Sequence, residues 1–162
     1  MISASGFIVD ESLAGVAKWL RLLGFDTVVH QGEAGRIMMR RATQEQRILL
    51  TRRRDMIERQ FSGRICLVPA IGIGPQLQYL VEKLSLEISM SQLLRICLIC
   101  NRQLHLVGRE EIRDLVSPHV LENGEEFNRC GACGRIYWKG THVRNALAFL
   151  EENNVRIMPE RG

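Results

Sequence analysis

Four of the five cysteines in this 162-residue chain form two Cys-x-x-Cys pairs, Cys97 with Cys100 and Cys130 with Cys133, separated by 29 residues. Thiolates bind zinc tetrahedrally, and two such turns supply a complete set of four sulfurs. The pattern predicts a structural zinc site, because four bound cysteines leave no open position for water or substrate. A dithiol redox pair would need only one such turn, at a helix start beside a strand. Gly131 and Gly134 suit the tight backbone of the second turn. Cys66, inside the apolar run Ile65-Cys66-Leu67-Val68, reads as a core residue.

Acidic residues form the second set with chemical potential. Asp10 ends the run FIVD, Glu33 lies in QGEAG, and Asp55 follows three arginines in ILLTRRRDM. Converging carboxylates hold hard ions such as Mg²⁺ or Mn²⁺. Such ions activate water and stabilise the charge that develops in phosphodiester cleavage. Each acid also has a plainer reading. Asp10 suits a helix cap, Asp55 a first-turn acid favourable to the helix dipole, and Glu33 a solvated loop. Ser12 and Thr51 are placed to hydrogen-bond phosphate or metal-bound water, and Arg52, Arg53 and Arg54 to grip a phosphate backbone.

The elements that must position these groups follow from periodicity. Phe7-Ile8-Val9, Thr27 to His30, Arg47 to Thr51 and Cys66 to Pro69 read as buried strands. Helical patterns lie between and after them, from Ser12 to Gly24, over 35–46, over about 54–61 and from Pro75 to Leu84. This alternation predicts a parallel sheet covered on both faces. The texture changes near residue 96, where each cysteine turn leads into a β-prone stretch, as in a zinc ribbon. A last helical pattern runs from Val143 to Asn154. The organisation expected is an α/β domain over 1–90, a zinc ribbon over 91–145 and a C-terminal helix and tail over 146–162.

Hydrophobic residues make up 46% of the chain, enough for a core, and the net charge is +4. Residues 36–64 carry nine arginines against Glu45, Asp55 and Glu58. Clustered arginine pairs bidentately with phosphate, so an anionic polymer is a fitting partner, although a solvated helix face would look the same. No apolar run is long enough to span a membrane, and MISASGFIVD lacks the features of a secretory signal, so a cytoplasmic location is expected.

Three blocks carry a family resemblance: FIVDESLAGVAKWLRLLGFDT, then RILLTRRRDM, then CLICNRQL with CGACGRIYWKGTH. Together they resemble the Mut-seven C-terminal RNase domain family, PIN-like domains with an appended zinc ribbon, over roughly residues 7–142. The resemblance implies a PIN-like α/β fold, one or two divalent ions at the carboxyl edge of the sheet, and RNA cleavage. Asp10 matches the family's first-strand acid. The block after the third strand usually reads Leu-Thr-Arg-Asp, and the position of its aspartate is Arg53 here. Another expected acid falls at Gly35, with Glu33 two residues away. A guanidinium at position 53 removes a ligand and repels a divalent ion.

The leading expectation is therefore a divalent-metal-dependent ribonuclease, weakened by Arg53, with Asp10 as metal ligand and Asp55 and Glu33 as helpers. The alternative is a catalytically inactive RNA-binding or adaptor protein on the same scaffold. RNA is the expected partner in either case, and a protein partner or homodimer stays open, as does a toxin-like component. Lys18, Arg21, Trp138, Lys139 and His142 mix cations with aromatics and are candidate RNA contacts. Tyr137 and Trp138 face opposite sides of one strand, so one is expected to pack and the other to bind. Trp19 is divided between core and surface, and His105 and His119 read as ordinary histidines.

Overall fold

A computed structural model describes residues 6–160, so the extreme ends of the expected first and last segments, 1–5 and 161–162, lie outside the described residues. Four parallel strands, β1 (Phe7–Asp10), β2 (Thr27–His30), β3 (Ile48–Thr51) and β4 (Ile65–Leu67), form a sheet in the order β2-β1-β3-β4. The connecting helices are α1 (Ala14–Leu22), α2 (Arg36–Gln44) and α3 (Arg54–Ile57), and α4 (Ile73–Leu84) follows the last strand.

Alternation along the strands explains the two-layered core. Phe7, Val9, Ile48 and Leu50 point to one face, where they pack with Val16, Leu20, Leu77 and Leu80 of α1 and α4. Ile8 and Leu49 point to the other, against Met38, Met39 and Ala42 of α2 and Met56 of α3. Both faces are thus covered, as the unbroken apolar strands require.

The helix expected over 54–61 is a single turn, because the chain leaves it to pack Phe61 against the second cluster. Helix α1 stops at Gly24, whose φ of +90° favours a residue without Cβ. A Cβ there would also lie 2.5 Å from the Gln92 carbonyl oxygen.

The second sheet is antiparallel, with the order β5 (Leu104–Leu106), β6 (Glu125–Cys130) and β7 (Ile136–Lys139). Strand β6, which delivers Cys130 into its turn, is absent from the sequence reading. So are the short helices α5 (Arg109–Ile112) and α6 (Pro118–Asn123). A legible signal existed for α6: Ser117 caps it and Pro118 occupies its first turn.

Helix α7 (Thr141–Glu152) returns to the parallel sheet. Leu150 and Val155 join the first core cluster, and Phe149 stacks on Trp19 at 4.8 Å. Trp19 is therefore a packing residue. No helix among the described residues is long and apolar enough to cross a membrane.

Candidate metal centre and nucleic-acid edge

The two cysteine turns share one geometry. In the first, Asn101 N–H donates to the Cys97 carbonyl at 2.9 Å and Cys97 N–H to the Arg102 carbonyl at 2.7 Å. In the second, Gly134 and Cys130 repeat these bonds to the Cys130 and Arg135 carbonyls at 2.9 Å each. Asn101 and Gly134 take the same left-handed position, with φ of +56° and +74°. Gly131 is not among the positive-φ residues, and a Cβ there would meet nothing closer than 4.0 Å, so the turn does not require glycine at that place.

The four sulfurs lie within 4.8 Å of one another, with Cys97 and Cys133 at 3.7 Å. Bonds of about 2.3 Å to a tetrahedral zinc place sulfurs about 3.8 Å apart, so the donor set fits such an ion. Cys97, Leu104 and Cys130 form a small buried cluster in this sheet, with Cys100 and Tyr137 against it.

Tyr137 adds a contact that sequence reasoning missed: its Oη lies 3.3 Å from Cys97 Sγ. Burial opposes ionisation of Cys97, but bonds from Tyr137 and from the Cys100 and Ile99 backbone outweigh it and hold the thiol down to about 6. The hydrogen bond with Cys133, then burial, pushes Cys100 up to about 12. A dication relieves this crowding of thiolates.

Arg21 and Asn101 tie the ribbon to the parallel sheet. The Arg21 guanidinium donates to the Thr27 carbonyl at 2.9 Å and to the Leu98 and Ile99 carbonyls at 2.8 and 3.3 Å. Asn101 accepts from Thr27 N–H at 2.9 Å and donates to Asp26 at 2.6 Å. Arg21 is 8% exposed, and its guanidinium fastens the first cysteine turn to the parallel sheet.

The strand order reverses between β1 and β3, so the crevice of the parallel sheet opens beyond their carboxyl ends. Asp10 stands there, only 7% exposed, and accepts from Ser12 N–H at 2.8 Å and Ser12 Oγ at 2.5 Å. Both bonds fall on Oδ1, so the capping role is realised and Ser12 is its partner. Thr51 is fully buried, and its Oγ1 accepts from Arg53 N–H at 3.1 Å.

Arg53 crosses this edge. Its Nη1 donates to the Ala34 carbonyl at 2.9 Å, while Nε and Nη2 grip both Asp55 oxygens at 3.0 and 2.9 Å. Arg59 also donates to Asp55 at 3.1 Å. The bond to Arg53 holds the Asp55 carboxyl below the usual aspartate range, against the opposing effect of burial and with the help of Arg59. The same bond raises the Arg53 pKa, and the more distant charges of Glu33 and Asp10 add to it.

Among the described residues, the four cysteines form a metal-capable cluster, whereas Asp10, Glu33 and Asp55 do not. With Asp55 occupied by two arginines and a guanidinium at the edge, this arrangement disfavours a divalent ion. Glu33 is an exposed loop residue, and Arg52 and Arg54 are exposed on either side of Arg53.

The remaining sequence candidates divide. Lys18, Trp138 and His142 meet in a cleft of about 620 Å³ that also includes Arg135, which sequence reasoning did not single out. Lys139 instead pairs with Glu126 at 2.7 Å. Tyr137 and Trp138 are both half-buried and both line this cleft, Trp138 also packing on Phe127.

No curated protein and no solved structure matches this chain. The family model described as the Mut7-C RNAse domain matches residues 5–150, nearly the whole length. The parallel sheet, the arginine-crossed edge and the four-cysteine ribbon all lie within this matched span, and the chain belongs to the Mut7-C RNAse domain family.

Proposed function

We propose that this ribonuclease-like chain binds single-stranded RNA along the carboxyl edge of its parallel sheet, with cleavage suppressed by the Arg53–Asp55 pair, in the cytoplasm. One observation carries the reading: Arg53 stands where the family's aspartate is expected and holds both oxygens of Asp55, the nearest substitute acid. Arg52 and Arg54, exposed beside it, add cations to a surface that suits a phosphate backbone. A structural zinc in the four-cysteine site keeps the second cleft, with Lys18, Trp138 and His142, in place for stacked bases.

A second reading, hydrolysis of RNA dependent on Mg²⁺ or Mn²⁺, is favoured by the position of Asp10 at the end of β1, beside the sheet's reversal point. The test is binding and cleavage of a labelled single-stranded RNA with Mn²⁺, comparing the natural chain with Arg53→Asp and Asp10→Asn. The proposal expects salt-sensitive binding without cleavage by the natural chain, and a gain of cleavage in Arg53→Asp. Cleavage by the natural chain that Asp10→Asn abolishes would establish the second reading instead. Absence of RNA binding at low salt would refute the proposal.

A further inference from the structure

Beyond the sheet edge, helix α2 and the α3–β4 connection line an open surface cleft of about 780 Å³. That volume lies within the range of small-molecule sites. Arg36 and Arg40, one helical turn apart, line it together with Arg59, Met39 and Phe61. No carboxylate is among its lining residues. Arg36 and Arg40 have no carboxylate partner in the ion pairs among the described residues. Phe61 is only partly buried, so its ring is available at the wall.

Hydrogen bonds link this cleft to the edge described above. Arg53 holds the Ala34 carbonyl two residues before Arg36, and Asp55 bridges Arg53 to Arg59. Asp55 therefore orients two arginines, one at each place. Three guanidiniums around one space favour a phosphate, for which their planar donors are matched. An adjacent aromatic ring favours the flat face of a base. The hydroxyl of Ser62 and the amide of Gln60, also in the lining, can meet polar edges.

We infer that this cleft is a nucleotide subsite, with the phosphate held by Arg36, Arg40 and Arg59 and the base stacked on Phe61. It extends the RNA-binding reading given above, on which it rests, by naming where one nucleotide of the strand is held. Free nucleoside phosphate and a nucleotide within a strand share this chemistry, and the two probes below separate them.

The experiment measures anisotropy of a labelled uridine dodecamer with the natural chain, Arg36→Gln/Arg40→Gln, and Phe61→Leu. A control, Arg113→Gln/Arg156→Gln, removes the same charge from exposed positions elsewhere. The first two variants are expected to bind about ten-fold more weakly than the control, and the arginine variant to lose about 0.7 from the salt slope per phosphate contact. Equal affinity of the arginine variant and the control overturns the subsite while leaving RNA binding intact.

Should the natural chain bind no RNA, the edge reading falls and the cleft is judged separately. Millimolar uridine 5′-monophosphate should then shift the amide signals of α2 and residues 60–62, and not those of the arginine variant. Absence of those shifts overturns the subsite. Phe61→Leu keeps an apolar side chain against the second cluster, and far-ultraviolet circular dichroism checks that each variant is folded.

Discussion

Replacing Arg21 by alanine should uncouple the ribbon from the parallel sheet. The guanidinium is the donor to one carbonyl of β2 and to two carbonyls of the first cysteine turn. Two of these bonds are short, and a net of about 1.5–3 kcal/mol per hydrogen bond to a charged group gives about 3–6 kcal/mol. Carbonyls of the turn regain some water once the side chain is gone, so about 3–5 kcal/mol is expected. For a chain of this size that lowers the midpoint of thermal unfolding by about 10 °C.

The assay follows tryptophan fluorescence and zinc release to a coloured chelator during heating of the zinc-loaded protein. Both transitions should move down, and zinc release should move at least as far. Arg21→Lys should recover little, because one ammonium cannot span β2 and the turn as the planar fork does. A loss below about 1 kcal/mol in Arg21→Ala, or zinc release that does not move, would refute the coupling.

Chelation of the metal should unfold the ribbon first, since its own buried cluster is three residues and metal binding supplies most of its folding energy. Hydrogen exchange should show loss of protection in β5–β7 while β1–β4 stay protected, and unchanged protection after confirmed zinc removal would contradict this. Gly24→Ala should cost at least about 2 kcal/mol in urea unfolding, because both its φ and the Gln92 carbonyl exclude a Cβ. Gly35→Ala, with extended backbone and open space around it, should stay within about 0.5 kcal/mol of the natural chain.

The alternation of short apolar runs with helical periods pointed to the parallel sheet, because strands buried on both faces are written as apolar runs. The helices between them carry the chain from one strand to the next. Cysteine spacing likewise determined the metal set, since the turn that aims two sulfurs at one ion is local. The capping role of Asp10 was legible because a helix cap is also local, although its pairing with Ser12 was not. Arg21 was not: its position in the chain looked like an exposed basic helix edge, and its three carbonyl partners lie on two separate segments. Nor could sequence show that Arg53 would hold both Asp55 oxygens, or that Arg36, Arg40, Arg59 and Phe61 would line one cleft. Those arrangements depend on where α2 and the α3–β4 connection pack across the sheet, and long-range packing leaves no local signature. The sequence by itself determined the elements of the parallel sheet and which residues could do chemistry; the tertiary structure decided which cations became fasteners and which acids are held by arginines.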